Sequence, residues 1–224
     1  PCAERVGWTL LGWLPEPGEH RRLEHRELGR APGRSGEYLG LTGHRMGAGD
    51  AIQSGFADVF VPFERWPDLT ARLEQTADID GALPDFAASV PMPDLARHRV
   101  DIDHAFAAPD LAGLVARLET LGDWGRDTLA TLEKLCPLSL ACTLGLVRDA
   151  RANPGIEAAL AREFRVTWRC ISDGDLIEGI RAAVIDKDRT PRWSHSLTGV
   201  PETSITAMRA PLGADDLTLT GDTP

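Results

Sequence analysis

The stretch DLIEGIRAAVIDKDRTPRW, Asp175 to Trp193, holds the residues of this chain best suited to ligand chemistry. An amphipathic helix bearing Ile177, Ile180, Val184 and Ile185 runs into a turn where Lys187, Arg189 and Arg192 alternate with Asp186 and Asp188. Cations at a helix C-terminus complement the partial negative charge of its unpaired carbonyls. Two readings of the three cations are open. In one they neutralise the helix end and pair with Asp186 and Asp188, each contact contributing a few tenths to about 1 kcal/mol. In the other they hold the phosphates of a small phosphorylated ligand, and Lys187 draws notice as one of two lysines in the chain, with Lys134. Pro191 stops the helix and Trp193 packs over its end. Glu178 lies one helical turn before Arg181, which predicts a surface ion pair rather than catalysis.

The remaining titratable residues point to less chemistry. His20, His25, His98, His104 and His195 have no spacing that suits a zinc site or a nucleophile-histidine pair, so they read as surface or locally hydrogen-bonded groups. Cys2, Cys136, Cys142 and Cys170 match no metal pattern; they read as reduced core thiols, which implies a cytoplasmic location and no metal. Glu163 and Arg165, in AREFRVTWR, are expected to hold helices together. The formal charge of −10 argues against nucleic acid as a partner, because phosphate binding needs clustered cations. No run of about eighteen apolar residues is present to serve as a membrane anchor.

The elements that must position these residues are mostly helical. Residues 1–35 are dense in arginine, glutamate, histidine, proline and glycine, and read either as a solvated helix or loop or as a segment outside any folded domain. From Gly36, GEYLGLTGHRMGAGDAIQSGFADVFVP reads as helix, glycine turn at Gly43, a second helix capped by Gly49 or Asp50 and running through Ser54, and a buried strand closed by Pro62. FERWPDLTARLEQTA is a further helix with Pro67 in its first turn. Residues 78–108, with prolines at 84, 91 and 93, read as a linker or lid. Apolar residues at 111, 114, 115, 118 and 121 open a helical layer that breaks at Pro137 and continues through two helices flanking SDGD.

Five of these segments, in order, resemble the C-terminal half of the 3-hydroxyisobutyryl-CoA hydrolases of the crotonase (enoyl-CoA hydratase/isomerase) superfamily: GEYLGLTGHRMGAGDAIQSGFADVFVP, PLSLACTL, AREFRVTWR, GDLIEGIRAAVIDKDRTPRW and PLGADDL. LTG followed by DA and glycine is common to crotonases. EGIRAAVIDKDRTPRW at this distance after PLSL is specific to the hydrolase branch.

The resemblance, running from about Ala31 to Leu217, implies an α/β crotonase-like fragment. It would be mostly α-helical in this chain, with a remnant of the β-β-α spiral core in residues 36–77, a linker or lid in 78–108 and a helical C-terminal region in 109–224. It also implies hydrolysis of an acyl-CoA thioester in valine catabolism, with acyl-CoA as substrate, no separate cofactor, and a homo-oligomer built through the helical region.

Lys187, Arg189 and Arg192 would then receive CoA phosphates. Glu16, in LPEPGE, would be the first of two catalytic carboxylates, a role that suits groups whose pKa values burial can move. The partner aspartate of a PDVGG motif has no counterpart, since no aspartate precedes Asp50. By the resemblance, the glycine loops that build the family's oxyanion hole, whose preorganised donors can contribute about 3–4 kcal/mol each, are expected upstream of residue 1. The expectation is therefore a C-terminal half with a misread N-terminal region, inactive and poorly soluble by itself. A hydratase or isomerase relative and a catalytically inactive CoA-binding or oligomerisation module are the alternatives.

Overall fold

The computed structural model describes residues 25–219. Twelve helices follow one another in these residues: α1 (His25–Arg30), α2 (Ser35–Thr42), α3 (Ala48–Gln53), α4 (Trp66–Thr76), α5 (Ile79–Phe86), α6 (Arg99–Phe106), α7 (Leu111–Leu118), α8 (Gly122–Leu132), α9 (Pro137–Ala152), α10 (Ile156–Arg169), α11 (Leu176–Ile180) and α12 (Glu202–Arg209). Residues 45–100 form one compact unit, and the rest of the described chain forms another.

The larger unit is built on α9. Its sequence, PLSLACTLGLVRDARA, has no continuous polar face before Arg148, and a helix apolar all round has to be enclosed. Leu138, Leu140, Cys142, Leu144, Leu146 and Val147 are all buried, with α1, α2, α10 and α12 packed around them. Pro137 sits in the first turn, where its missing N–H would have had no intrahelical partner, so the expected break falls in residues 133–136. Gly29 lets α1 lie directly on α9, because a Cβ there would come within 2.7 Å of the Arg151 backbone nitrogen.

Two sequence expectations change here. Residues 25–35 belong to the folded unit, with Leu28 and Gly29 buried; residues 1–24 lie outside the described chain. His25 is buried rather than superficial. Its backbone N–H donates to Glu163 Oε1 at 3.0 Å, and its Nδ1 lies 2.8 Å from the same oxygen. A buried polar group needs such a partner, and α10 supplies it. Arg165 forks onto Asp216, Nε to Oδ1 at 2.8 Å and Nη2 to Oδ2 at 2.6 Å, so both AREFRVTWR residues tie helices to neighbouring segments as expected.

Helix α2 ends where the sequence predicts, with Gly43 in the left-handed conformation at φ 61° and its N–H on the Leu39 carbonyl. Within it Glu37 is fully buried. Arg34 Nη1 donates to its Oε1 at 2.7 Å and Arg151 Nη2 to its Oε2 at 2.9 Å, so the buried charge has the pairing its desolvation demands.

The smaller unit relies on turn chemistry. Helix α3 begins after Gly47, and Asp50, expected at the cap, instead sits three residues in. Its Oδ2 accepts the Gly47 N–H at 3.2 Å and its Oδ1 accepts the Leu95 N–H at 2.9 Å. Residues 57–62 are not the buried strand their sequence suggests. Val59 is exposed, and the Phe60 carbonyl takes one bond, from the Ala88 N–H at 3.0 Å, where a strand requires a ladder.

No strand occurs among the described residues, so the expected β-β-α remnant has no strand counterpart there. Residues 78–108, expected as a linker or lid, carry helical structure. Asp78 caps α5 by accepting the Gly81 N–H at 2.9 Å, Pro84 is carried inside that short helix, and α6 follows a 3-10 turn at Leu95–His98. Among the described residues no single helix is long and apolar enough to cross a membrane; α8 and α9 pass that test only as a pair bent by 111°.

Candidate functional site

Helix α11 starts after Asp175 and continues as a π-helical turn, Arg181–Ile185. The Asp186 N–H reaches back five residues to the Arg181 carbonyl at 2.8 Å. Widening the turn in this way rotates the side chains, and such turns recur at functional sites. Gly179 and Ala182 consequently face inward and are buried. Trp193 folds back over Gly179, where an added Cβ would sit 3.5 Å from the ring, and with Leu176 it packs on the core formed by Cys136, Leu138, Cys142, Leu146, Val166, Cys170 and Met208. The apolar residues that periodicity singles out stay outside: Ile177 is 57% exposed, Val184 61% and Ile185 69%.

The charged turn is organised by Arg181, a residue whose sequence position announced only its pair with Glu178. Arg181 Nε donates to Glu178 Oε2 at 2.8 Å and Nη2 to Oε1 at 2.7 Å, as the spacing predicts. Its Nη1 donates to both Asp186 Oδ2 at 2.6 Å and Asp188 Oδ2 at 2.7 Å, and Nη2 also reaches the Thr190 carbonyl at 3.2 Å. Glu178 Oε1 further accepts the Arg192 backbone N–H at 2.7 Å, and Asp188 Oδ1 the Thr190 N–H at 2.9 Å. The Arg181 fork holds the Glu178 carboxyl down to about 2 and lowers Asp188 as well, while those carboxylates push the Arg181 guanidinium up. Asp175 fastens the outgoing chain, accepting from the Ser194 N–H and hydroxyl and, at 3.5 Å, from the Cys136 thiol.

Asp186 and Asp188 are therefore claimed by Arg181, not by Lys187, Arg189 and Arg192 as the pairing reading expected. The reason is tertiary: the wide turn curls both aspartates back over the helix end, within reach of a guanidinium that periodicity places elsewhere. Lys187, Arg189 and Arg192 are exposed. Lys187 and Arg189 both have φ 55°, the left-handed region that residues with a Cβ seldom occupy. Non-glycine residues held there mark a turn over-determined by its surroundings.

Glu16, the expected carboxylate, lies outside the described residues. Cys136, Cys142 and Cys170 are free and buried, and burial pushes Cys142 up to about 12 and Cys170 up to about 11, so they remain neutral thiols at physiological pH. Among the described residues no group of three or more His, Cys, Asp and Glu side chains is disposed to hold a metal. Glu37, the most thoroughly buried carboxylate among the described residues, was not singled out by the sequence; its partners lie three residues before it and on α9.

Comparison with known proteins covers the greater part of the chain. Residues 12–208 match the family model described as enoyl-CoA hydratase/isomerase, a span that takes in much of the N-terminal stretch set apart by composition. A probable 3-hydroxyisobutyryl-CoA hydrolase 3 of Arabidopsis thaliana is 34% identical over 83% of this chain and 51% of its own length. The mitochondrial 3-hydroxyisobutyryl-CoA hydrolase of Xenopus tropicalis is 30% identical over 94% of this chain and 56% of its own. Among solved structures, an enoyl-CoA hydratase from Rhodobacter sphaeroides is similar at a TM-score of 0.80 and 45% identity, over 87% of this chain and 57% of that one. The chain spans about half the length of the curated relatives it matches.

Proposed function

Because the chain belongs to the enoyl-CoA hydratase/isomerase family, we propose that it supplies the CoA-binding side of an acyl-CoA thioester hydrolase acting on 3-hydroxyisobutyryl-CoA, a step of valine breakdown. The observation that carries this reading is the turn at 186–192. Its aspartates are drawn onto Arg181, and three exposed cations stand on a backbone pinned by Glu178 and Trp193. In this reading Lys187, Arg189 and Arg192 hold the CoA phosphates. Anchoring the remote nucleotide supplies binding energy that positions the thioester for attack by water. Glu16 is the carboxylate proposed to handle water and proton transfer.

The relatives named as hydrolases support the reaction class, together with the EGIRAAVIDKDRTPRW segment. A hydratase reading is favoured by the 45% identity to the Rhodobacter sphaeroides enzyme. The two separate on products: a hydrolase releases a free thiol from 3-hydroxyisobutyryl-CoA, whereas a hydratase consumes the double bond of an enoyl-CoA and releases none. Thiol release that depends on Glu16 is the expected result. Loss of the enoyl absorbance without thiol would overturn the hydrolase reading, and CoA binding with neither reaction would make the chain a binding module.

A further inference from the structure

We propose that Arg181 is a positioning residue for this phosphate-binding turn, acting by removing Asp186 and Asp188 from competition for Lys187; the inference rests on the CoA reading above. Lys187 lies between two aspartates in sequence, and a lysine so flanked would ordinarily be shared with them, while their charges would repel a phosphate. The geometry separates the two sets. One guanidinium takes Asp186 Oδ2 at 2.6 Å and Asp188 Oδ2 at 2.7 Å, and also holds both oxygens of Glu178. With the Thr190 carbonyl these contacts use all five N–H donors of the planar fork; a lysine, with three donors on one nitrogen, cannot make the bidentate Glu178 contact and hold the two aspartates and the carbonyl as well.

The fork also acts on the backbone. Its contact with the Thr190 carbonyl, and the Glu178 contact with the Arg192 N–H, close the turn that keeps Lys187 and Arg189 in the left-handed region. The cations are thereby presented by a helix end whose own acids already have a partner. The carboxylates are not a competing site for a cation, because Arg181 occupies their centre.

The test is a titration of the 224-residue chain with coenzyme A and with 3′-dephospho-coenzyme A at two ionic strengths, on five variants. K187A/R189A/R192A tests the CoA reading itself and is expected to bind CoA at least about tenfold more weakly, with a reduced salt dependence. R181Q is expected to weaken CoA by about tenfold while keeping its secondary structure by circular dichroism, and R181K is expected not to rescue it. Adding D186N/D188N to R181Q is expected to restore affinity to within about threefold of the parent. D186N/D188N alone is expected to change it by less than about twofold, which keeps the proposal testable if R181Q does not fold.

An unaffected triple variant would sink the CoA reading and this inference together. A weakened triple variant beside an unchanged R181Q would overturn the role of Arg181 alone. So would a double aspartate variant that abolishes binding, since the acids would then be scaffold rather than competitors.

Discussion

The two compact units solve the same problem with different means. In the larger one a single helix, α9, is buried on nearly every side, and acidic and histidine side chains of the unit find partners: Glu37 with two arginines, Asp149 with Arg209, His25 with Glu163. In residues 45–100 Leu95 is buried but several large side chains stay out, Phe63 at 80% and Met92 at 79% exposure, and much of the order comes from capping carboxylates and backbone bonds. Apolar burial of about 25 cal/mol per Å² accumulates over a whole helix, whereas a turn bond contributes about 1 kcal/mol net. The comparison teaches that local chemistry can specify a conformation without supplying a core, and that the candidate turn stands on the unit with the core.

The largest effect should come from the centre of the larger unit. Leu140→Ala removes a fully enclosed side chain and is expected to cost about 3–5 kcal/mol in urea unfolding, so a loss below about 1 kcal/mol would break the contrast. Glu37→Gln removes the charge shared by Arg34 and Arg151 and should cost about 2–3 kcal/mol, with rescue absent at high salt because the site is buried. In the smaller unit Asp50→Ala is expected to cost about 1–2 kcal/mol. Its signature is faster hydrogen exchange at the Leu95 and Gly47 amides, with little change at α9.

The Arg181 clamp predicts a pH dependence. A carboxyl lowered in the folded state contributes stability above its unfolded pKa and loses it as pH falls through the folded value. With Glu178 held at about 2 against an ordinary 4.5, its contribution is intact above 4.5 and lost on the way down to 2. The Arg192 amide resonance should therefore shift with a midpoint near 2; a midpoint at 4.5 would show that the clamp does not form in solution. Smallest of all, Phe63→Ser should change stability by no more than about 0.5 kcal/mol, since that side chain buries little.

Much of the fold can be read from local rules. Gly43 ends α2, Asp110 caps α7 and Glu178 meets Arg181, each because a backbone or side-chain group finds its partner within four residues, and Pro137 opens α9 because the first turn needs no N–H there. ADVFVP misleads because alternation and β-branching describe a strand only when another strand is there to pair with. The candidate site was legible as residues and not as geometry. Lys187, Arg189 and Arg192 are visible in the sequence, but the π turn in which Val184 and Ile185 stand exposed, and the return of the chain that brings Asp186 and Asp188 onto Arg181, have no periodic signature.

What the sequence by itself determined is therefore the prevailing helical character, helix boundaries such as the end of α2 at Gly43 and the start of α9 at Pro137, and a family resemblance that the 12–208 match upholds. Those follow from interactions of short range along the chain and from motifs a single sequence carries. Only the tertiary structure decided that His25 and Glu37 are buried and satisfied, that α9 is the enclosed helix, and that one arginine gathers the acids of the charged turn. Each of these is a choice among partners far apart in sequence or across a non-standard turn, and burial, geometry and the demand that every buried charge be paired make that choice only once the chain has closed on itself.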